Sequence, residues 1–140
     1  MIVDAKEKAA VDRGWLDLPG LKTLKGVESE SFCVFLFTPT PGCAYSRMFA
    51  PEYGTAEEPS AGSSTGPLVA YMIRHKLVSG QAGPRFISEQ GTKMGRRSLL
   101  HVEVRGEDDA YGIYIGGHVT PIAEAVMTLG SSEGGLCEPG

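Results

Sequence analysis

The sequence predicts an α+β fold in which a curved, mixed or antiparallel sheet wraps around one buried helix. Three observations support this fold. Short segments rich in β-branched and aromatic residues recur along the chain. Glycine is abundant, with 19 of 140 residues, which indicates many turns. One segment of helical length is apolar nearly all round, which is typical of an enclosed helix.

The chain length predicts a single domain. We expect this domain to span residues 1–129, since no internal repeat or interior linker divides it. Residues 130–140 are rich in Gly, Ser and Glu, and we expect them to form a disordered tail.

Helical patterns occur at three places. The first covers residues 3–13, and a single further turn lies near residues 21–24. The apolar helix is expected over about residues 67–78, with Thr65 as its N-cap. Pro67 suits the first helical position, where its missing N–H needs no partner.

Strand patterns bounded by Gly, Pro and Ser fill most of the remaining chain. They are expected at residues 31–38, 44–51, 84–90, 98–104, 111–115 and 118–123. The loop between the second strand and the apolar helix, residues 52–66, is rich in Gly, Ser and Glu. We expect these strands to form a curved sheet that wraps around the apolar helix.

Charge and cysteine usage exclude several classes of function. The net charge is −4 with no block of like charge, which disfavours both a nucleic-acid surface and a membrane surface. No segment approaches the roughly 20 apolar residues of a membrane span, and the first residues do not resemble a signal peptide. Cys33, Cys43 and Cys137 lack C-x-x-C spacing, so we expect reduced thiols in a cytoplasmic protein. The three histidines share no ligand spacing, so we expect no metal site.

The loop before the apolar helix carries the most chemical information. Glu57 and Glu58 are adjacent, so in an extended chain one can enter a pocket while the other faces solvent. Gly62, Ser63 and Ser64 follow, and a helix start with small and hydroxyl residues can bind a carboxylate or phosphate. Taken alone, these residues favour the simpler interpretation, a capped helix without a ligand and two solvated carboxylates.

Arg47 lies on the strand before this loop. Its guanidinium can pair with a ligand carboxylate or with Glu58, or it can form a structural salt bridge, and the sequence favours neither. No Ser-His-Asp pattern supports a hydrolase triad.

Three motifs in order resemble those of one family. The run RMFAPEYGTAEEPSAGSSTGPLVAY, residues 47–71, resembles R-x-F-x-P-x-x-G-x-x-E-D-P-A-T-G-S-A-x-G-P-L-x-x-Y of the phenazine-biosynthesis, PhzF-like isomerase family. Residues 90–98, QGTKMGRRS, resemble the family's Q-G-x-x-M-G-R-P-S. Residues 115–119, IGGHV, are similar to its V-G-G-x-A/V strand. The chain is identified on these motifs as a member of the family.

The resemblance implies a diaminopimelate-epimerase-like fold, in which a barrel-like sheet encloses a central helix. Full-length members have two such domains with the active site between them, and this chain matches the second. The family's principal acid/base glutamate belongs to the first domain and cannot be placed on any residue here. Glu58 stands where the family has its active-site Asp, and Gly62 and Ser63 match the Gly-Ser that binds the substrate carboxylate. Ala61 replaces the family's Thr.

We therefore expect a cofactor-independent acid/base enzyme, an isomerase or proton-transfer cyclase, acting on a small carboxylic acid. The expected site residues are Glu58 for proton transfer, with Glu57 as its alternative, and Gly62, Ser63, Ser64 and Arg47 for substrate binding. We expect no cofactor. The missing wall of the cleft is expected from a homodimer, or from a heterodimer with a separate first-half chain. Two alternatives remain, a non-catalytic accessory or binding subunit and a truncated, inactive half.

Overall fold

The computed structural model describes residues 1–23, 33–78, 85–107 and 110–128, in which one curled, seven-stranded sheet packs around a central helix. The strands are β1 (Ile2–Asp4), β2 (Val34–Thr40), β3 (Cys43–Ala50), β4 (Thr55–Glu58), β5 (Arg85–Gln90), β6 (Ser98–Glu107) and β7 (Ala110–Gly116). The helices are α1 (Lys8–Arg13), α2 (Leu18–Lys22) and α3 (Gly62–Arg74), and single 3-10 turns lie at Pro51–Tyr53 and Thr92–Met94. The predicted α+β class, with a curled sheet around a helix, is confirmed.

The sheet is mixed and has the order β1-β2-β3-β5-β6-β7. β1 runs parallel to β2 and β5 runs parallel to β3, whereas the other neighbours in this order are antiparallel. β5 pairs with the first part of β3, and β4 pairs with its last part, where Met48 lies opposite Glu58. The short strand β4 therefore fixes the segment that leads into α3 onto the sheet.

α3 packs on the inner face of the sheet. Its side chains Leu68, Val69 and Met72 are fully buried. They form one cluster with side chains from β2 and β6, among them Phe37 and Val102. Complete burial of an apolar side chain of this size stabilises the fold by roughly 1.5–3 kcal/mol. The position of α3 is therefore set by the core of the sheet.

The outer face of the sheet is covered over β2 and β3 by α1 and α2. Val11 of α1 is fully buried. Leu21 of α2 packs with Val34 and Phe49 in a second, smaller cluster. Over β6 and β7 the outer face is more open, and Tyr114 keeps 51% of its surface exposed.

Two predicted elements differ from the structure. Residues 2–4 form a strand instead of the start of a helix, because Ile2 and Val3 pair in parallel with β2. A local helical pattern cannot reveal a pairing partner that is distant in sequence. The strand predicted at residues 118–123 is irregular and exposed. Pro121 in its middle has no N–H to donate to a ladder.

The helices of the described residues are short. α3 has 13 residues and ends at Arg74, before the predicted end near residue 78, and His75 closes it. Within the described ranges, no helix is long and apolar enough to cross a membrane. The tail predicted for residues 130–140 lies outside the described residues, as do the predicted strand start at residues 31–32 and residue 84.

Candidate active site

α3 begins at Gly62, before the start predicted at Pro67, which lies inside the helix. The N-cap is Ala61, and its N–H donates to Oε1 of Gln90 at 2.8 Å. Thr65, the predicted N-cap, is fully buried inside the helix, where its hydroxyl donates to the Ala61 carbonyl at 2.8 Å. The sequence pattern around the helix could not predict this start, because the capping group comes from a side chain 29 residues further along the chain.

The start of α3 opens into a cavity of about 510 Å³, which we call the Glu58 cavity. Gly62, Ser63 and Ser64 line it. These residues open the helix, and the first N–H groups of an α-helix have no acceptor within it. The helix dipole adds a partial positive charge at the same point. This end of the cavity is therefore suited to bind an anionic group such as a carboxylate.

Glu58, the last residue of β4, lines the same cavity. Its side chain is half-buried, and its Oε1 accepts a hydrogen bond from the Ser60 N–H at 3.3 Å. This hydrogen bond directs the carboxylate toward the turn between β4 and α3. A carboxylate beside an anion-binding helix start can exchange a proton with an acid that is held there.

Cys33 also lines the Glu58 cavity, where its side chain is half-buried. Nothing in the spacing of the cysteines predicted this position, because Cys33 is brought to the cavity by the pairing of β2 with β3. Tyr53, on the single turn after β3, contributes a largely exposed ring to the rim. The cavity therefore holds a thiol and a phenol that the sequence did not indicate.

Arg47 and Glu57 form an ion pair on the outer face of the sheet. Nε and Nη2 of Arg47 donate to Oε1 and Oε2 of Glu57 at 3.0 and 2.7 Å. Nη1 donates to the backbone carbonyls of Val11, Asp12 and Gly14 at 3.1, 3.2 and 2.7 Å. The hydrogen bonds to Glu57 raise the pKa of Arg47 above its ordinary value, against the opposing effect of burial. The guanidinium therefore stays charged, and each of its three nitrogens donates to the protein.

This placement separates Arg47 from the other predicted site residues. Arg47 does not line the Glu58 cavity. Of the roles predicted for it, the structure shows the structural salt bridge, and the partner is Glu57, not Glu58. Alternation along β4 sends the two neighbouring glutamates to opposite faces of the sheet. Glu57, expected either as the alternative to Glu58 in the site or as a solvated carboxylate, is instead bound by Arg47, and only 12% of its side chain is exposed.

A second cavity, of about 540 Å³, adjoins the first at Ser60 and Gly62, which line both. Arg97 and His118 line its other side. Nε and Nη2 of Arg97 donate to the Glu89 carboxylate at 3.1 and 3.3 Å. The start of α3 therefore lies between a cavity with a carboxylate and a cavity with a guanidinium.

A larger cavity, of about 650 Å³, lies on the outer face of β5, β6 and β7 and shares no residue with the Glu58 cavity. Arg85 and Glu103 line it. Arg105 and Arg85 donate to Glu103 at 3.0 and 3.1 Å, and these hydrogen bonds lower the pKa of Glu103 to about 2. Because these charges are paired with one another, this surface is less suited to an ionic substrate than the start of α3. In the described part of the chain, no group of three or more potential ligand side chains converges on a metal site.

Comparison with known proteins extends the resemblance seen in the motifs. Residues 1–125 match the family described as phenazine biosynthesis-like protein. An uncharacterized isomerase of Clostridium acetobutylicum is 30% identical over 112 residues, which cover 77% of this chain and 37% of that protein. A trans-2,3-dihydro-3-hydroxyanthranilate isomerase of Pseudomonas chlororaphis is 38% identical over 64 residues, which cover 46% of this chain and 22% of that protein.

Two solved structures share the fold. A predicted epimerase of Pseudomonas aeruginosa matches with a TM-score of 0.64 and 24% identity, over 88% of this chain and 40% of that one. A phenazine biosynthesis protein of the PhzF family from Enterococcus faecalis matches with a TM-score of 0.57 and 22% identity, over 83% of this chain and 39% of that one. The chain thus spans no more than 40% of any of these four proteins. The match over residues 1–125 shows that the chain belongs to the phenazine biosynthesis-like (PhzF-like) family.

Proposed function

We propose that the chain is a cofactor-independent acid/base isomerase that acts on a small carboxylic acid. The observation that carries this proposal is that Glu58 and the start of α3 line one cavity. Membership of a family whose named relatives are isomerases supports it. Glu57 and Arg47 have no direct part in the proposed chemistry, because they are bound to each other on the outer face.

In the proposed mechanism, the start of α3 binds the substrate carboxylate and Glu58 transfers the proton. The N–H groups and hydroxyls of Ser63 and Ser64, with the N–H of Gly62, hold the substrate carboxylate. Donors aimed at this group stabilise the negative charge that develops when a proton leaves the substrate. Glu58 accepts that proton from one carbon and returns it to another, so the product is an isomer of the substrate.

The names of relatives indicate a substrate class to test. Several Pseudomonas relatives are named trans-2,3-dihydro-3-hydroxyanthranilate isomerases. We propose an unsaturated acid of this kind for the present chain. The side chain of Glu58 is longer than the Asp of the family motif by one methylene, or roughly 1.5 Å. The preferred substrate is therefore expected to differ from that of members with Asp in the distance between its carboxylate and its acidic carbon, and trans-2,3-dihydro-3-hydroxyanthranilate serves as the test compound of this class.

We also propose that a second chain completes the active site. The present chain spans only 37–40% of its longest matches. After β7 the chain is irregular, and its apolar residues there are 83–97% exposed: Val119, Ile122, Val126 and Met127. Apolar side chains exposed together in this way are typical of a protein contact. A homodimer is the arrangement we favour, and a heterodimer with a chain that carries the first half is the alternative.

Turnover in D₂O tests the proposed chemistry. Wild-type protein should isomerise trans-2,3-dihydro-3-hydroxyanthranilate and incorporate solvent deuterium. E58Q keeps the size of the side chain but removes the acid/base group, so kcat should fall about 100-fold or more. E7Q is the matched control, since it changes a glutamate that is 64% exposed on the outer surface. Wild-type turnover by E58Q would contradict the role of Glu58.

Light scattering on the same protein tests the proposed assembly. A dimeric mass is expected for a homodimer, and the variant I122D should shift the protein toward monomer. Purely monomeric wild-type protein would contradict the homodimer. Turnover that appears only after addition of a chain carrying the first half would favour the alternative function, an accessory subunit of a two-chain enzyme.

A further inference from the structure

Gln90 connects the end of β5 to the start of α3. Its side chain is fully buried. Its Oε1 accepts a hydrogen bond from the Ala61 N–H at 2.8 Å. Its Nε2 donates to the hydroxyls of Thr65 at 2.9 Å and Ser88 at 3.2 Å, and both of these residues are also fully buried.

These hydrogen bonds fix both backbone groups of the N-cap residue. Gln90 binds the Ala61 N–H directly. The Ala61 carbonyl accepts the hydroxyl of Thr65, and the oxygen of that hydroxyl accepts from Gln90. Only a neutral amide side chain supplies an acceptor for the N–H and two donors for the hydroxyls at once. A carboxylate would lose both donors, and an apolar side chain would lose all three bonds.

The next residue, Gly91, packs against Pro59 in the turn between β4 and α3. Its φ of +70° is one that glycine adopts without strain. A Cβ at this position would lie 2.9 Å from the Pro59 carbonyl oxygen and 3.0 Å from the Pro59 Cβ. Pro59 immediately follows Glu58. The end of β5 therefore packs against the turn that carries the carboxylate and also caps the helix that carries the N–H groups.

We propose that Gln90 is a positioning residue that sets the distance between Glu58 and the anion-binding N–H groups of Gly62, Ser63 and Ser64. This inference rests on the proposed function of the Glu58 cavity. Gln90 itself does not line the cavity and acts through Ala61. Its amide also keeps the space behind the helix start neutral. A negative charge there would oppose the binding of a carboxylate on the other side of Ala61.

The test measures binding of anthranilate, a stable carboxylate probe, to the full chain by its fluorescence. Wild-type protein should bind anthranilate, and aniline, which lacks the carboxylate, should not bind. Q90E should weaken anthranilate binding about tenfold or more near pH 8. The loss should shrink as the pH is lowered to about 5, because a buried carboxyl group takes up a proton readily. The melting temperature of Q90E is measured at both pH values, and a loss of affinity at a pH where Q90E is fully folded separates positioning from general destabilisation.

Two further variants keep the test decisive. T65V, which removes one hydroxyl from the network, should weaken binding by about two- to fivefold even if Q90E fails to fold. V104A truncates a fully buried core side chain on β6, and it should lower the melting temperature without changing the affinity for anthranilate.

The outcomes separate this inference from the proposed function. If wild-type protein binds anthranilate and Q90E and T65V bind it equally well, the role of Gln90 is contradicted while the proposed function stands. Equal losses in V104A would also contradict it, since they would indicate general destabilisation. Failure of wild-type protein to bind anthranilate would overturn the proposed carboxylate site, and the role of Gln90 with it.

Discussion

Glu57 and Glu58 are neighbours on β4, but their side chains lie on opposite faces of the sheet and make different contacts. On the outer face, both oxygens of Glu57 accept hydrogen bonds from Arg47, whose remaining donors bind the end of α1. On the cavity side, Oε1 of Glu58 accepts from the Ser60 backbone N–H at 3.3 Å, and the carboxylate borders a cavity. The Glu57 carboxylate is thus bound within the protein, whereas the Glu58 carboxylate faces a cavity in which it can contact a ligand.

The comparison shows why residue type alone is a poor guide to function here. An ion pair with little exposure is expensive to form and is worth most as a fixed connection between elements. The pair of Arg47 and Glu57 connects β3, β4 and α1 in this way. Glu58, by contrast, has no cationic side chain as its partner among the hydrogen bonds of the described residues. Its negative charge is stabilised by the partial positive charge at the start of α3. We therefore assign a structural role to the outer pair, and the proposed proton transfer to Glu58.

The largest expected effect comes from breaking the outer pair. R47M should lower the free energy of unfolding by about 3–5 kcal/mol, because it leaves Glu57 buried without a partner and removes donors from three backbone carbonyls. Denaturant unfolding measures this loss. R47M/E57M should recover part of it, since it removes the unpaired charge as well. A cost below about 0.5 kcal/mol for R47M would show that the pair is not structural.

A smaller effect is expected on the cavity side. S63A removes one hydroxyl donor at the start of α3 but keeps the backbone N–H, so the affinity for anthranilate should fall about three- to tenfold. The free energy of unfolding should change by less than about 0.5 kcal/mol. Isothermal titration calorimetry measures the affinity, and E7Q, which changes an exposed glutamate, serves as the control. Binding by S63A as tight as that by E7Q would contradict the role of the Ser63 hydroxyl.

Much of the fold could be predicted from local sequence. The strands β2, β3, β5, β6 and β7 follow from short apolar patterns, and the nearly all-round apolar character of residues 67–78 predicted an enclosed helix. Elements that depend on distant partners could not be predicted. Residues 2–4 form a strand only because β2 lies beside them, and α3 starts at Gly62 because Gln90 caps Ala61 from another strand.

The candidate site was also predictable only where local sequence defines it. The family motif located Glu58, Gly62 and Ser63, which line one cavity. It also included Arg47, whose side chain lies on the outer face, because a motif does not record which way a strand residue points. Two residues of this region were not predicted. Cys33 reaches the cavity through the pairing of β2 with β3, and Gln90 reaches the start of α3 through a buried hydrogen bond from the Ala61 N–H.

The central claim is that the start of α3 beside Glu58 binds a carboxylate. A titration of isotope-labelled protein with anthranilate, followed by backbone amide NMR shifts, tests it most directly. We predict that the largest shifts fall on Gly62, Ser63 and Ser64, and that aniline does not produce them. Shifts centred instead on the outer-face cavity near Arg85 and Tyr114, or equal shifts with aniline, would contradict the account.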